Sequence, residues 1–446
     1  MVNDLSTRNL KFFIRTFGCQ MNENDSERIA GLLHSSGFEK VTYEEKSDIV
    51  IINTCAVRQK SEEKLFSYLG RLNQVKKGLI IGITGCVAQL EREKIFKRAP
   101  YVDFILGTHA YYNLPEILKK IIIDKEKVNN IRWHKEWQET PDECILRENK
   151  VIGYVTIMEG CNNFCSYCIV PFTRGREKYR PFNNILKEIR KLADKGYKEI
   201  QLLGQNVNSY YDHQKEKNFV DLLTEINKIK GIEWIRFITS HPKNFSEEIA
   251  QAMKDLEKVC PQLHLPVQSG SSSVLQRMKR GYDRQTYLKK IDFLKKLIPN
   301  INLSTDIIVG SPGESREEFE ETLSLLREVE YNNIFSFRYS PRPFTAASKL
   351  KDDVPFEEKK NRLIQVQSLQ KEIQLKNNRK KIGQKLKVLT LGKSKRDSKI
   401  WSGRTEHYQV VNFHSNQAEI GKFVEVLITD VGPYSLRGKQ ENSYEL

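Results

Sequence analysis

Cysteine is scarce in this chain, which is 446 residues long and carries only eight. Eight thiols spread over that length do not make a disulfide scaffold. No apolar run approaches the length of a membrane span. The opening segment MVNDLSTRNLK lacks the apolar core of a secretion signal. Together these absences lead to the expectation of a cytoplasmic protein without a membrane partner, whose thiols are free for chemistry. Acidic residues also fall short: Asp and Glu total 57 against 73 Lys and Arg, a net charge of +16. That surplus favours a polyanionic partner, most simply nucleic acid, although a solvated basic surface would give the same count. A hydrophobic share of 39% supports sizeable cores, and the length suggests roughly two to four domains.

What the chain does have is a tight cysteine cluster. Cys161, Cys165 and Cys168 form C-x3-C-x2-C within EGCNNFCSYC, directly after the apolar strand-like run GYVTIM (153–158). Iron–sulfur clusters are normally held by a thiolate on every iron. Three thiolates on a four-iron core would leave one iron open for a substrate or cofactor. The plainer readings are a zinc knuckle or scattered buried thiols. Zinc sites pair two half-motifs to close a tetrahedron, and no partner half-motif follows within about thirty residues. His213 and His241 are distant and isolated.

The stretch up to about residue 145 alternates strands and helices. KFFIRTF (11–17), DIVIIN (48–53) and LIIGIT (79–84) read as buried strands. Helices are expected over 22–34, 58–75 and near 89–98. This alternation implies an open parallel α/β sheet. Cys19, Cys55 and Cys86 each fall just past the end of one strand. Ligands collect at the carboxyl ends of strands in such sheets, so these thiols are a second candidate site. The alternative is three small buried residues. Residues 122–150 read as a polar linker with some strand, and Cys144 has no evident role.

From 151 to 345 a strand–helix unit repeats. The strands are 153–158, 199–204, 234–239, 263–267, 303–310 and 334–340, which suggests a partial (β/α)6 barrel. Active residues in barrel folds sit at the C-terminal strand ends, where the cysteine loop lies. Ser311–Glu314 resembles a helix-capping box. Arg174, Arg176, Lys178 and Arg180 are candidates for gripping RNA phosphates, and Cys260 reads as structural. A long charged helix follows over 355–380. The remainder, with KLKVLT, HYQVVNF and KFVEVLITDV, fits a small all-β barrel of about sixty residues. That barrel carries Lys385, Lys387, Lys393, Lys395, Arg396, Lys399 and Arg404, as RNA-binding barrels do. A dimerisation or solvated cap module is the alternative. The domains are expected at 1–145, 146–380 and 381–446.

At this point the motifs resemble a known family. TFGCQMNENDSE (16–27), INTCAVR (52–58) and TGCVAQ (84–89) are similar to the N-terminal domain of the methylthiotransferases. EGCNNFCSYCIVPFTRGREKYRP (159–181) resembles their radical S-adenosylmethionine (SAM) loop. LLGQNVNSY (202–210), LHLPVQSGSSSVLQRMKRGY (263–282) and STDIIVGSPGE (304–314) continue the match. The last segment resembles the RNA-binding TRAM barrel, with WSGRTEHYQVVNF its loosest part. Within the family, the closest likeness is to the branch that methylthiolates carbon 2 of N6-isopentenyladenosine at tRNA position 37.

The resemblance implies two 4Fe-4S clusters and SAM. Cys161, Cys165 and Cys168 match ligands of the radical cluster, and Cys19, Cys55 and Cys86 those of an auxiliary cluster that supplies the sulfur. Tyr167 fits the position that contacts the cofactor adenine. Gln205 and Asn206 fit the binding of its methionyl end. Ser240, Gln268 and Asp306 are candidates for lining the cofactor or substrate site. The partners implied are the anticodon stem-loop of tRNA, an electron donor such as a flavodoxin or ferredoxin, and a sulfur or cluster donor. A monomer is the default. The competing functions are methylthiolation of threonylcarbamoyladenosine or of a ribosomal-protein aspartate, a zinc- and RNA-binding protein, and an electron carrier. The last would need fully ligated clusters.

Overall fold

The computed structural model describes residues 10–57, 59–75, 78–141 and 144–440. Arg58, which closes the INTCAVR motif, lies outside the described residues.

The first sheet is six-stranded, parallel and ordered β2-β1-β3-β4-β5-β6. Its strands are β1 (Lys11–Phe17), β2 (Glu39–Lys40), β3 (Ile49–Thr54), β4 (Ile80–Gly85), β5 (Phe104–Leu106) and β6 (Val128–Asn130). Every residue of β3 is buried, as expected for a parallel strand covered on both faces. The helix expected near 89–98 is broken in two, Cys86–Glu91 and Lys94–Arg98. The break is at Arg92, whose φ of 52° ends the first helix.

The linker is less bland than its composition suggests. It crosses the helix Gln20–Ser35 at Gly31, where a Cβ would lie 1.7 Å from the Cys144 carbonyl oxygen. Only glycine admits that approach. On either side of that crossing, Glu139 pairs with Arg180, and Arg147 with Glu188. These ion pairs stitch the linker onto the central domain.

Six parallel strands form the central domain, in two groups of three. One runs Trp234–Phe237, Glu199–Leu203, Ile152–Thr156. The other runs Gln262–His264, Asn302–Val309, Asn333–Arg338. A parallel bridge between Ile235 and Val259 joins the groups. The amphipathic helices between them put Ile185, Ile189, Leu222, Ile249, Ile291 and Leu326 into one core. The capping box of the helix Arg316–Val329 is formed by Ser315 and Glu318 rather than by Ser311 and Glu314. Glu314 instead accepts from the Gly310 amide and from Arg362 of the long helix Phe356–Arg379. Val366 and Ile373 of that helix complete the core.

The last strands, between Lys385 and Gln440, close into a five-stranded barrel. It docks against the strand starts of the central domain. Leu389 packs with Val151, Ile152, Trp234 and Cys260, and Phe423 meets Trp234 edge-on at 4.9 Å. Arg236 is buried at this joint. It lies 3.1 Å from a Glu199 oxygen, without N–H alignment, and donates to the carbonyls of Thr405 and Glu406. No helix among the described residues is long and apolar enough to cross a membrane.

Candidate active site

The cysteine loop leaves the carboxyl end of Ile152–Thr156 and is tied at its neck. Met158–Glu159 pairs with Lys178–Tyr179, and the Cys161 amide donates to the Gly175 carbonyl at 3.1 Å. At Gly160, with φ of 81°, a Cβ would sit 2.1 Å from the Arg176 carbonyl oxygen. Ser166 is held on the far side by the Met278 and Arg277 carbonyls. The loop is thereby fixed over the strand ends. Cys165 Sγ lies 3.3 Å from Arg280 Nη1 and 3.8 Å from His241 Nε2. Burial pushes the Cys161 thiol up and the Cys168 thiol up to about 12, the neighbouring thiols adding to the latter. An electropositive metal core is what such thiols need to ionise.

The second set follows β1, β3 and β4. Its frame is a reciprocal amide pair: Asn22 Nδ2 donates to Asn53 Oδ1, and Asn53 Nδ2 to the Asn22 carbonyl, both at 2.9 Å. Gly85 is required beside it, since a Cβ there would come 2.4 Å from Asn53 Oδ1. Cys55 and Cys86 are buried, whereas Cys19 stands at the exposed rim. The thiols act on one another: Cys55 is pushed up by its two neighbours, while its proximity holds the buried Cys86 thiol down to about 5 and the Cys19 thiol down to about 7. Arg174 adds to the lowering at both. This guanidinium comes from the cysteine loop and binds Asp25, and its buried Nη1 has no hydrogen-bond partner. An orphan donor beside thiols suits an anionic sulfur assembly.

Among the described residues, no three His, Cys, Asp or Glu side chains converge as ligands of a single ion. A cluster demands something else, because each thiolate binds its own iron and the donors ring a core.

Around the cysteine loop, Asn206 Oδ1, Ser240 Oγ, Ser311 Oγ and the Tyr339 hydroxyl are buried without partners. Each follows the end of a different central strand. Buried polar atoms are nearly always satisfied, so orphans repeated at strand ends mark a place for a polar ligand. Gln205 accepts from the Gly160 amide, and Asn206 donates to Glu177 and Asn244. Tyr167 bonds Arg280 and lines a small cleft with Ser311 and Tyr339. Gln268 is held at φ of 80° by backbone bonds to Asp306 and Ile308. Asp306 sits 3.5 Å from His264.

Two of the four basic residues expected to grip phosphate do not face solvent. Arg174 is committed to Asp25, and Arg180 to Glu139 and Glu188. Lys178 is largely covered by His109 and Glu159. Arg176 alone is exposed. Burial holds the neighbouring His109 down to about 4, so it is neutral.

A cavity of about 610 Å³ opens beside the cysteine loop, and none of the six cysteines lines it. Its walls come from the segment that follows Cys86 (Gln89, Arg92), from the cysteine loop (Phe164, Phe172, Arg176) and from the linker (Trp133). Arg280, His241 and Trp133 did not stand out in the sequence. The MKRGY motif holds the first, but only the folded chain brings it to Cys165.

A parallel half-barrel with a three-cysteine loop over its strand ends defines the radical SAM class. The Radical SAM superfamily model matches residues 155–326, the Uncharacterized protein family UPF0004 model 11–107 and the TRAM domain model 379–440. Among solved structures, the radical SAM methyltransferase TsrM from Kitasatospora setae aligns with a TM-score of 0.54 at 12% identity, over 77% of this chain and 74% of that one. Far nearer in sequence are two proteins named tRNA-2-methylthio-N(6)-dimethylallyladenosine synthase. The one from Clostridium novyi is 44% identical over 98% of this chain and 99% of its own. The one from Clostridium botulinum is 46% identical over 96% and 97%. The chain belongs to this family of tRNA-2-methylthio-N(6)-dimethylallyladenosine synthases.

Proposed function

We propose that this chain methylthiolates carbon 2 of N6-isopentenyladenosine at position 37 of tRNA, next to the anticodon. The observation that carries the reading is two three-cysteine sets past the strand ends of separate sheets, with a cavity walled by the segment after Cys86 and by the cysteine loop.

Cys161, Cys165 and Cys168 would hold one 4Fe-4S cluster, and Cys19, Cys55 and Cys86 another, each leaving one iron without a protein ligand. When bound, these groups and SAM supply a carbon-centred radical and a methylated sulfur. The target C–H bond has no useful acidity, so a general base could not serve. The protein's work is therefore placement. The strand-end orphans Asn206, Ser240 and Ser311 offer hydrogen bonds to the polar end of SAM. Gln205 fixes the neck of the cysteine loop. Arg174 joins that loop to the first domain, which holds the two sets at a constant separation.

The three units at 1–145, 146–380 and 381–446 divide these tasks, with the last gripping RNA. Its Lys393 lies over the Trp401 ring at 3.8 Å, a pairing suited to phosphate and base together. An electron donor such as a flavodoxin or ferredoxin and a sulfur or cluster donor complete the cycle, for a cytoplasmic monomer.

Mass spectrometry of tRNA nucleosides from a strain lacking the protein tests this. The expected result is loss of the 2-methylthio group with the isopentenyl group retained. An unchanged nucleoside profile contradicts the proposal. So does an anaerobically reconstituted protein that binds zinc instead of roughly eight irons.

A further inference from the structure

The cavity beside the cysteine loop carries an unusual cost. Phe164 and Phe344, both in its wall, have backbone φ of 46° and 67°. Bulky residues in the left-handed region are genuine outliers. Such strain persists only where the surroundings impose it, and it gathers at ligand sites. Burial of the rings does not offset it here. Phe164 is 39% exposed and Phe344 58%. Trp133, 42% exposed, stands in the same wall against Gly175, where an added Cβ would lie 3.0 Å from the indole. Three large apolar rings are thus held half in water around one opening. Two of them sit on backbone that would relax if they were glycine.

The rim of the opening differs. Arg92, Lys135 and Arg176 line it and are exposed, and Arg176 lies over the Phe164 ring at 4.9 Å. A flat apolar surface edged by cations suits a planar base with a phosphate on each side. The volume is within the ordinary range for ligand cavities.

We propose that Phe164, Phe344 and Trp133 form the recognition wall for the N6-alkylated adenine, flipped out of the RNA loop, while Arg92, Lys135 and Arg176 take the adjoining phosphates. The inference rests on the proposed function and specifies how that site selects its substrate. The branched alkyl group has no polar atom, so apolar surface is what can favour a prenylated adenine over a plain one. Aromatic residues that stack on a base typically change affinity roughly fivefold to a hundredfold when removed.

The test uses the full-length holoenzyme, reconstituted anaerobically, and two labelled anticodon stem-loops that differ only in the isopentenyl group. Fluorescence anisotropy is recorded for wild type, Phe344→Gly and Trp133→Ala, and melting is followed in parallel. Wild type is expected to prefer the prenylated loop by roughly tenfold, and both variants to lose most of that preference. Phe344→Gly is also expected to melt no lower than wild type, because glycine accepts φ of 67° freely. Retained preference in both variants overturns the inference, as does a lower melting point for Phe344→Gly, which would make the ring a packing element. A wild type with no preference overturns it as well. Methylthiolation by wild type is read in the same preparation. Activity there, with preference kept in the variants, removes the aromatic wall alone, whereas an inactive wild type removes the reading beneath it.

Discussion

Glu27 makes a sharp test of how burial and pairing compete in this fold. It lies on the helix Gln20–Ser35 and is 8% exposed. Its Oε2 receives two long contacts, from Asn24 Nδ2 at 3.4 Å and Arg147 Nη1 at 3.5 Å. Arg147 gives its closer contact to Glu188. Burial therefore wins and lifts the carboxyl from 4.5 to about 7. Each unit is worth about 1.36 kcal/mol, so ionising Glu27 costs about 3 kcal/mol more in the folded chain than in the unfolded one. The sign follows from proton counts. Between pH 4.5 and about 7 the folded state keeps a proton that the unfolded state has released, so stability falls as pH rises. The penalty is absent below that window and complete above it. Glu27→Gln removes the ionisation and keeps the shape. In parallel urea titrations the two chains should agree at about pH 4, while at about pH 8 the variant should be more stable by up to ~3 kcal/mol. A variant less stable than wild type at the higher pH would refute the reasoning, because it would show the Arg147 pair outweighing burial.

Other expectations follow from the same geometry. Cys161→Ala should abolish both SAM cleavage and methylthiolation, whereas Cys55→Ala should abolish methylthiolation and leave some 5′-deoxyadenosine formation. Survival of both activities in Cys55→Ala contradicts the auxiliary-site assignment. Arg236→Met strands the buried Glu199 carboxylate and should cost about 3–5 kcal/mol, read as faster hydrogen exchange over residues 385–440. Adding Glu199→Met should recover the part owed to the stranded carboxylate but not the part owed to the Thr405 and Glu406 carbonyls, and no recovery speaks against the ion pair. Arg176→Ala should flatten the salt dependence of RNA binding by about one counterion at unchanged stability, whereas Arg180→Ala should destabilise the chain. Equal behaviour of the two would contradict their opposite exposures.

The architecture was legible wherever apolar periodicity is strong. DIVIIN announces β3, whose residues Ile49–Thr54 are wholly buried, and the placing of Cys19, Cys55 and Cys86 after strand ends follows from the strands themselves. Short elements escaped. β5 has three residues, too few to show a period, whereas β6 falls in the linker expected to carry some strand. The helix after Cys86 looked continuous because nothing in its composition announces the left-handed turn at Arg92. Side-chain fates were the hardest to read. Arg174 and Arg180 sit in a basic run that resembles a phosphate grip, yet their carboxylate partners Asp25 and Glu188 bury them. Asp25 lies 149 positions from Arg174, and no local pattern records such a pairing. Trp133 belongs to a charged stretch that reads as a tether, and only the packing against Gly175 reveals it as a wall.

The seat of the last barrel bears on how its RNA grip can be studied. Leu389 and Phe423 cover Val151, Ile152 and Trp234 at the base of the central domain. Cutting the chain after Gly383 would uncover that floor, and a sticky, half-open remnant binds RNA poorly for reasons unrelated to lysine. Transplantation is the cleaner surgery: replace the solvent-facing cations Lys393, Lys395 and Arg396 and leave the two apolar feet planted.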